Sequence, residues 1–239
     1  MGKILVKVGF FVEGQTERIF LVKYLAEYLA GEHNFSRTEI QHLGSRGTKI
    51  LTTRNYPESN YYVLIFDCSG DGNVIPALRD RAQNMINQEK YQYLIAIQDL
   101  YDRPRSRKRE VITSFNELFS HTTYFDNLKF VLAIMEIESW FIADYNLFQR
   151  INPIATPEYI RNQLNIDVIN TNPETHRHPS EVINRIYQLF GQTYKKREEQ
   201  SYSIVSRIDY DFLYSDEVKN RVESWNYFAN LFDTIFERD

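Results

Sequence analysis

Three pairs of acidic residues, each standing at the end of an apolar run, are the most conspicuous chemistry in this chain. Glu13 and Glu17 follow KILVKVGFFV, Asp99 and Asp102 follow YQYLIAIQ, and Glu136 and Glu138 follow KFVLAIM. Residues four apart on a helix share a face, so Glu13 at a helix mouth and Glu17 in its first turn can point at one spot above a sheet edge. A glutamate at a helix N-terminus also gains a few tenths to about 1 kcal/mol from the helix dipole, and for one pair that alternative stands beside the functional one. Three pairs at three run ends ask for more than solvation. Carboxylates gathered in a crevice repel one another, and a divalent cation with oxygen ligands relieves the repulsion; hard Mg²⁺ suits such donors best, with Mn²⁺ as a substitute.

The elements that must position these acids can be read from periodicity. Residues 3–12 are β-branched and aromatic enough for a strand buried on both faces. From Thr16 to Ala30 the apolar residues Phe20, Tyr24, Leu25, Tyr28 and Leu29 recur at helical spacing, and Gly31 is placed to stop the helix. A short strand is expected near 39–43 and a stronger one over 61–66 (YYVLIF), followed by a turn, DCSGDGN, at 67–73. The stripe Val74, Ile75, Leu78, Ala82, Met85 and Ile86 predicts a helix, 91–98 a strand, 108–119 a helix and 129–135 a strand. Strands and helices therefore alternate over residues 1–145, the order of an α/β domain with a mainly parallel sheet and acids at the strand ends, where open α/β sheets place their sites. Past that point Pro153, Pro157, Pro173 and Pro179 punctuate short helical stretches, so 146–239 reads as a mostly helical C-terminal extension packed on the sheet.

Composition narrows the class. The 239 residues are 43% hydrophobic and 25% charged, the balance of a globular domain able to build its own core. No apolar run reaches the roughly 18 residues of a membrane span and no signal-peptide pattern opens the chain, so the cytoplasm is the expected location. The single cysteine, Cys68, excludes an internal disulfide and is read as a structural thiol. A net charge of −4 argues against gripping nucleic acid by bulk attraction, which leaves two local basic patches, Arg103 to Arg109 with Arg105 inside it, and Tyr194-Lys195-Lys196-Arg197. A solvated surface run is the competing reading of both. His176 and His178, flanked by prolines, are read as surface residues. Neither a P-loop nor a nucleophile-elbow motif is present.

VEGQTE after an apolar strand, followed by an acidic pair after a later one, resembles the Toprim domain of topoisomerases, primases and overcoming-lysogenization-defect (OLD) nucleases, the Glu-x-x-x-Glu form being most similar to the OLD type. SGDGNV (69–74), EIESWFIAD (136–144) and YKK (194–196) resemble the DUF4276 group of Toprim-like proteins. The resemblance implies a Toprim-like (Rossmann-like) catalytic domain over 1–145. It also implies roles: Glu13 as metal ligand or general base, Glu17 as a second ligand, Asp99 and Asp102 as ligands below the reacting phosphate, and Glu136 or Glu138 at a second metal position. Toprim proteins usually carry Asp-x-Asp; Asp99-Leu-Tyr-Asp102 is one residue longer, with Asp67 and Asp71 in reserve. Lys196 or Lys195 would stabilise charge on the phosphate, and Arg103 and Arg105 would meet the backbone. The activity implied is Mg²⁺-dependent hydrolysis of DNA or RNA, as the effector of a prokaryotic anti-phage system with a separate ABC- or OLD-type ATPase. The alternative from another class is a non-catalytic module that binds a metal or nucleotide or docks a partner.

Overall fold

The computed structural model describes residues 5–29, 37–44, 47–54 and 60–236. The expected helix stop at Gly31 lies outside them. Contacts divide the chain into two compact units, Met1–Gln98 with Arg109–Leu132, and Asp99–Lys108 with Ala133–Asp239.

The first unit is built on a sheet of strand order β3-β2-β4-β1-β5-β6, formed by β1 (Val6–Val12), β2 (Arg37–Gly44), β3 (Gly47–Arg54), β4 (Tyr61–Asp67), β5 (Tyr93–Asp99) and β6 (Leu128–Ala133). β1 pairs in parallel with both β4 and β5, and β2 in parallel with β4; β3 alone is shown running antiparallel, against β2. Helix α1 (Gln15–Leu29) links β1 to β2, α2 (Val74–Asn87) links β4 to β5, and α3 (Lys108–Phe119) precedes β6. This is an α/β, Rossmann-like architecture, as the alternation predicts. The antiparallel strand β3 was not expected.

Alternation along the strands sorts the two faces. Phe11, Leu64, Phe66, Leu94 and Ala96 pack with Val74, Ala77, Leu78 and Ala82 of α2 and with Phe115 and Phe119 of α3. Val8, Phe10, Val12, Val63 and Ile65, the intervening residues, are equally buried. Each large apolar side chain so enclosed contributes about 1.5–3 kcal/mol. Gly9 sits where strand and helix approach closely: a Cβ there would stand 2.8 Å from Leu94 Cδ2.

The order of connections locates a switch point within this unit. From β1 the chain leaves through α1 past β4 to reach β2, whereas from β4 it leaves through α2 past β1 to reach β5. Right-handed crossovers in opposite directions put α1 and α2 on opposite faces and open a crevice at the carboxyl ends of β1 and β4.

The second unit holds short helices: α4 (Glu138–Ala143), α5 (Leu147–Ile151), α6 (Pro157–Leu164), α7 (Pro179–Gln188), α8 (Glu198–Val205), α9 (Tyr210–Tyr214), α10 (Asp216–Arg221) and α11 (Glu223–Phe236). Trp140 of α4 and Trp225 of α11 meet edge to face at 5.4 Å, with Phe228 beside both. Their indole N–H groups donate to Ser224 Oγ (2.8 Å) and to the Leu213 carbonyl (2.7 Å). Glu174, fully buried, accepts from the backbone N–H groups of Glu223 (3.2 Å) and Ser224 (2.8 Å), so its charge meets the positive end of α11. The Arg221 guanidinium donates to the carbonyls of Ala143, Val168 and Ile169, tying three segments together.

Candidate functional site

In the first unit β1 runs straight into the β1–α1 turn, and Glu13 and Glu17 are both buried there, at 7% and 6% exposure. Glu17 Oε2 accepts the Gly14 N–H at 3.0 Å, the reach of an N3 glutamate back to a helix cap. The β1 and β4 exits are stitched together: Cys68 N–H donates to the Val12 carbonyl (2.9 Å) and Gly70 N–H to the Glu13 carbonyl (2.7 Å). Register places Val12 beside Asp67, so Glu13 and Asp67 leave neighbouring strands at the same level. Asp67 is buried too, with its Oδ2 3.3 Å from Arg18 Nε and its Oδ1 accepting the Ser69 N–H at 3.0 Å. Burial pushes the Cys68 thiol up to about 12, with Asp67 adding to the shift, so it stays protonated as a structural thiol should.

The second unit carries the other acids. Asp99, the last residue of β5, is buried and its Oδ1 accepts the Ile137 N–H at 2.9 Å; Asp102 is exposed. The two aspartates of Asp-x-x-Asp thus occupy different environments.

Every residue of EIESWFIAD, 136–144, is buried. Lys196 Nζ bridges the pair at its start, 3.0 Å from Glu136 Oε1 and 2.9 Å from Glu138 Oε2. Ser180 donates to Glu136 through its N–H (2.8 Å) and Oγ (2.9 Å), and Tyr194 OH donates to Glu138 Oε1 at 3.0 Å. Met135 and Lys196 both adopt left-handed backbone, φ 67° and 51°. Non-glycine residues held there cost free energy, and such strain gathers at functional sites. Burial drives the Glu138 pKa upward against the opposing pull of Lys196, with Glu136 adding to the rise. Tyr194 stands out in the sequence as part of the basic run and of YKK, whereas Ser180 carries no signal there.

Lys195, Arg103 and Arg105 are exposed, and Arg105 lies 4.0 Å from Glu174. His176 and His178 are half-buried rather than surface residues; His178 packs edge-on against Tyr101 at 5.2 Å. Among the described residues no three His, Cys, Asp or Glu side chains are grouped so as to hold a metal ion, and no helix is long and apolar enough to cross a membrane.

Asp144 closes the buried motif. It is paired with Arg150 and accepts the Asp209 N–H at 2.8 Å, yet burial raises its pKa from 3.8 to about 6. Between those values the native state holds a proton that the unfolded chain has lost, so stability falls as pH rises through the window, by about 3 kcal/mol at 1.36 kcal/mol per unit. Asp144→Asn is expected to flatten the pH dependence of urea unfolding between about pH 4 and 6. An unchanged slope would assign the dependence elsewhere.

A family model described as a domain of unknown function, DUF4276, matches residues 12–216. No curated protein and no solved structure matches the chain.

Proposed function

The chain belongs to the DUF4276 family, and from that premise we propose that it is a Mg²⁺-dependent nuclease of Toprim type, hydrolysing phosphodiester bonds in DNA or RNA. The observation that carries this reading is the buried pair Glu13 and Glu17 at the switch-point end of β1. Open α/β sheets bind ligands at that end. An all-carboxylate donor set fits Mg²⁺ or Mn²⁺.

Glu13 and Glu17 would hold the ion, and the Toprim resemblance adds Asp99 and Asp102 to the ligands. Bound there, the metal supplies an activated water and charge stabilisation for an in-line displacement. Glu136 and Glu138 fit a metal poorly, since Ser180, Tyr194 and Lys196 already engage them; their task is to hold Lys196. By the same resemblance Lys196 would stabilise charge on the phosphate, and Lys195, Arg103 and Arg105 would contact the backbone. The same resemblance carries the biological setting, an anti-phage effector working with a separate ABC- or OLD-type ATPase.

A non-catalytic metal- or nucleotide-binding module is the second reading. It is favoured by the exposure of Asp102 while Asp99 is committed to the Ile137 N–H. The two are separated by incubating the purified protein, alone and with its ATPase partner, with duplex DNA, single-stranded DNA and total RNA in Mg²⁺, Mn²⁺ or EDTA. Fragments that appear with metal and vanish in EDTA support the nuclease. Intact substrates in every condition, with the partner bound, support the docking module.

A further inference from the structure

The second unit carries a basic strip that its own contacts hold against the surface. Residues 101–108, YDRPRSRK, set Arg103, Arg105, Arg107 and Lys108 against a single acid, Asp102. Three side chains tie the strip down. At its start the Tyr101 ring packs edge to face on His178 with centroids 5.2 Å apart, while the Tyr101 N–H donates to the Met135 carbonyl at 2.8 Å. Midway Arg105 lies 4.0 Å from Glu174, and at the end Lys108 pairs with Glu223 of α11. One turn of 3₁₀ helix, Arg105–Arg107, shapes the stretch between them. Arg103, Arg105 and Arg107 are all exposed.

Large rings stand in water at both ends of the strip. Tyr101 is 39% exposed and Tyr227 48%. Tyr227 follows Glu223 by four residues on α11, so it shares the face to which Lys108 reaches. Exposed apolar side chains scattered singly need no account, but two tyrosines that flank a run of arginines do.

We propose that this strip binds single-stranded nucleic acid, with Arg103, Arg105 and Arg107 on the phosphates and the Tyr101 and Tyr227 rings stacked on unpaired bases. The inference rests on the nuclease reading and names its substrate class. A cationic track interleaved with aromatic rings is the recurring way of holding a single strand, because every base offers a π face whatever its sequence. A duplex keeps its bases stacked on one another, so exposed rings add nothing to its binding and cations alone would serve it. Glu174 competes weakly for Arg105: it already accepts the Glu223 and Ser224 N–H groups, and the arginine side chain is 45% exposed. His178 is a positioning residue, since it touches the Tyr101 ring and sets its attitude.

Binding of the full-length protein in EDTA tests this. Labelled oligo(dT) and oligo(U) of about 12 nucleotides, within the range of known single-strand sites, are compared with a duplex carrying the same number of phosphates. Anisotropy is expected to show the preferred single strand bound at least about tenfold more tightly than the duplex, and which strand is preferred tells DNA from RNA. Tyr101→Leu and Tyr227→Leu are each expected to weaken that binding about tenfold, equal to about 1.4 kcal/mol and within the range for one stacked base, while duplex binding stays unchanged. Tyr101→Phe, which keeps the π face, is expected to bind as the wild type does. Arg103→Ala should lower the slope of log affinity against log salt by about 0.7, the value of one single-strand phosphate contact. Absence of single-strand binding, a duplex bound as tightly as the preferred strand, or Tyr101→Leu and Tyr227→Leu proteins that bind like the wild type overturns the proposal. EDTA silences metal-dependent cleavage, which keeps the two readings apart: cleavage in metal without single-strand preference strikes this inference alone, and single-strand binding without cleavage in metal strikes the nuclease reading alone.

Discussion

Glu13→Gln is expected to lower metal-dependent cleavage about a thousandfold, in the middle of the 10²–10⁴-fold range for loss of a positioned acid or base. The substitution keeps the shape of the side chain and removes its charge. The backbone that holds the turn is untouched, since the Gly70 N–H bonds to the Glu13 carbonyl rather than to the carboxylate. Urea unfolding measured alongside separates loss of activity from loss of fold. Glu17→Gln should show a mixed effect, because Glu17 Oε2 also accepts the Gly14 N–H that starts α1. Normal cleavage by Glu13→Gln protein would remove the assigned metal site altogether.

Lys196→Met carries the largest expected loss of stability. The lysine is the cation shared by Glu136 and Glu138, and Glu138 is fully buried. Breaking a buried pair costs about 3–5 kcal/mol. With a third of the lysine side chain exposed, solvent screens part of the interaction, so about 2–3 kcal/mol is the expected loss near neutral pH. The pH dependence has a definite sign. Burial already raises the Glu138 pKa above its ordinary 4.5, and removing the cation that opposes the rise lifts it further. The native variant then binds a proton that the unfolded chain lacks, so its deficit shrinks as pH falls toward 4.5 and grows as pH rises. Urea melts at pH 5 and pH 8 measure this, and equal deficits at the two values would rule out Glu138 as the group left stranded. Stability is read without any nuclease assay, so the result stands whatever the activity proves to be.

Much of the sheet was legible because its strands are apolar runs broken by glycine or acidic turns. YYVLIFD and YLIAIQD leave little choice of conformation, and the stripe of α2 announces a helix from Val74. β3, reading GTKILTTR, lacks such a run, and its strand character comes from pairing with β2 rather than from its own apolar content. The acids of the site were legible as types but not as partners. Glu138 and Tyr194 are 56 residues apart, and nothing in the local pattern of either announces the other. Likewise DCSGDGN reads as a plain turn; only the pairing of β2 beside β4 brings His42 to Ser69. Side chains that meet through register between distant strands leave no periodic trace, which is why chemistry here was less visible than architecture.

The position of β1 has a consequence for how the chain is made. It lies inside the sheet, paired on both sides, yet its first partner begins only at Tyr61 and its second at Tyr93. At roughly 5–20 residues per second, a ribosome would expose VKVGFFV for several seconds before β4 emerges to cover it. Parallel pairing across such separations is slow to nucleate. During synthesis the nascent chain thus presents this apolar strand before its partners, a natural target for a chaperone at the exit tunnel, and folding of this unit waits on the arrival of β4 and β5.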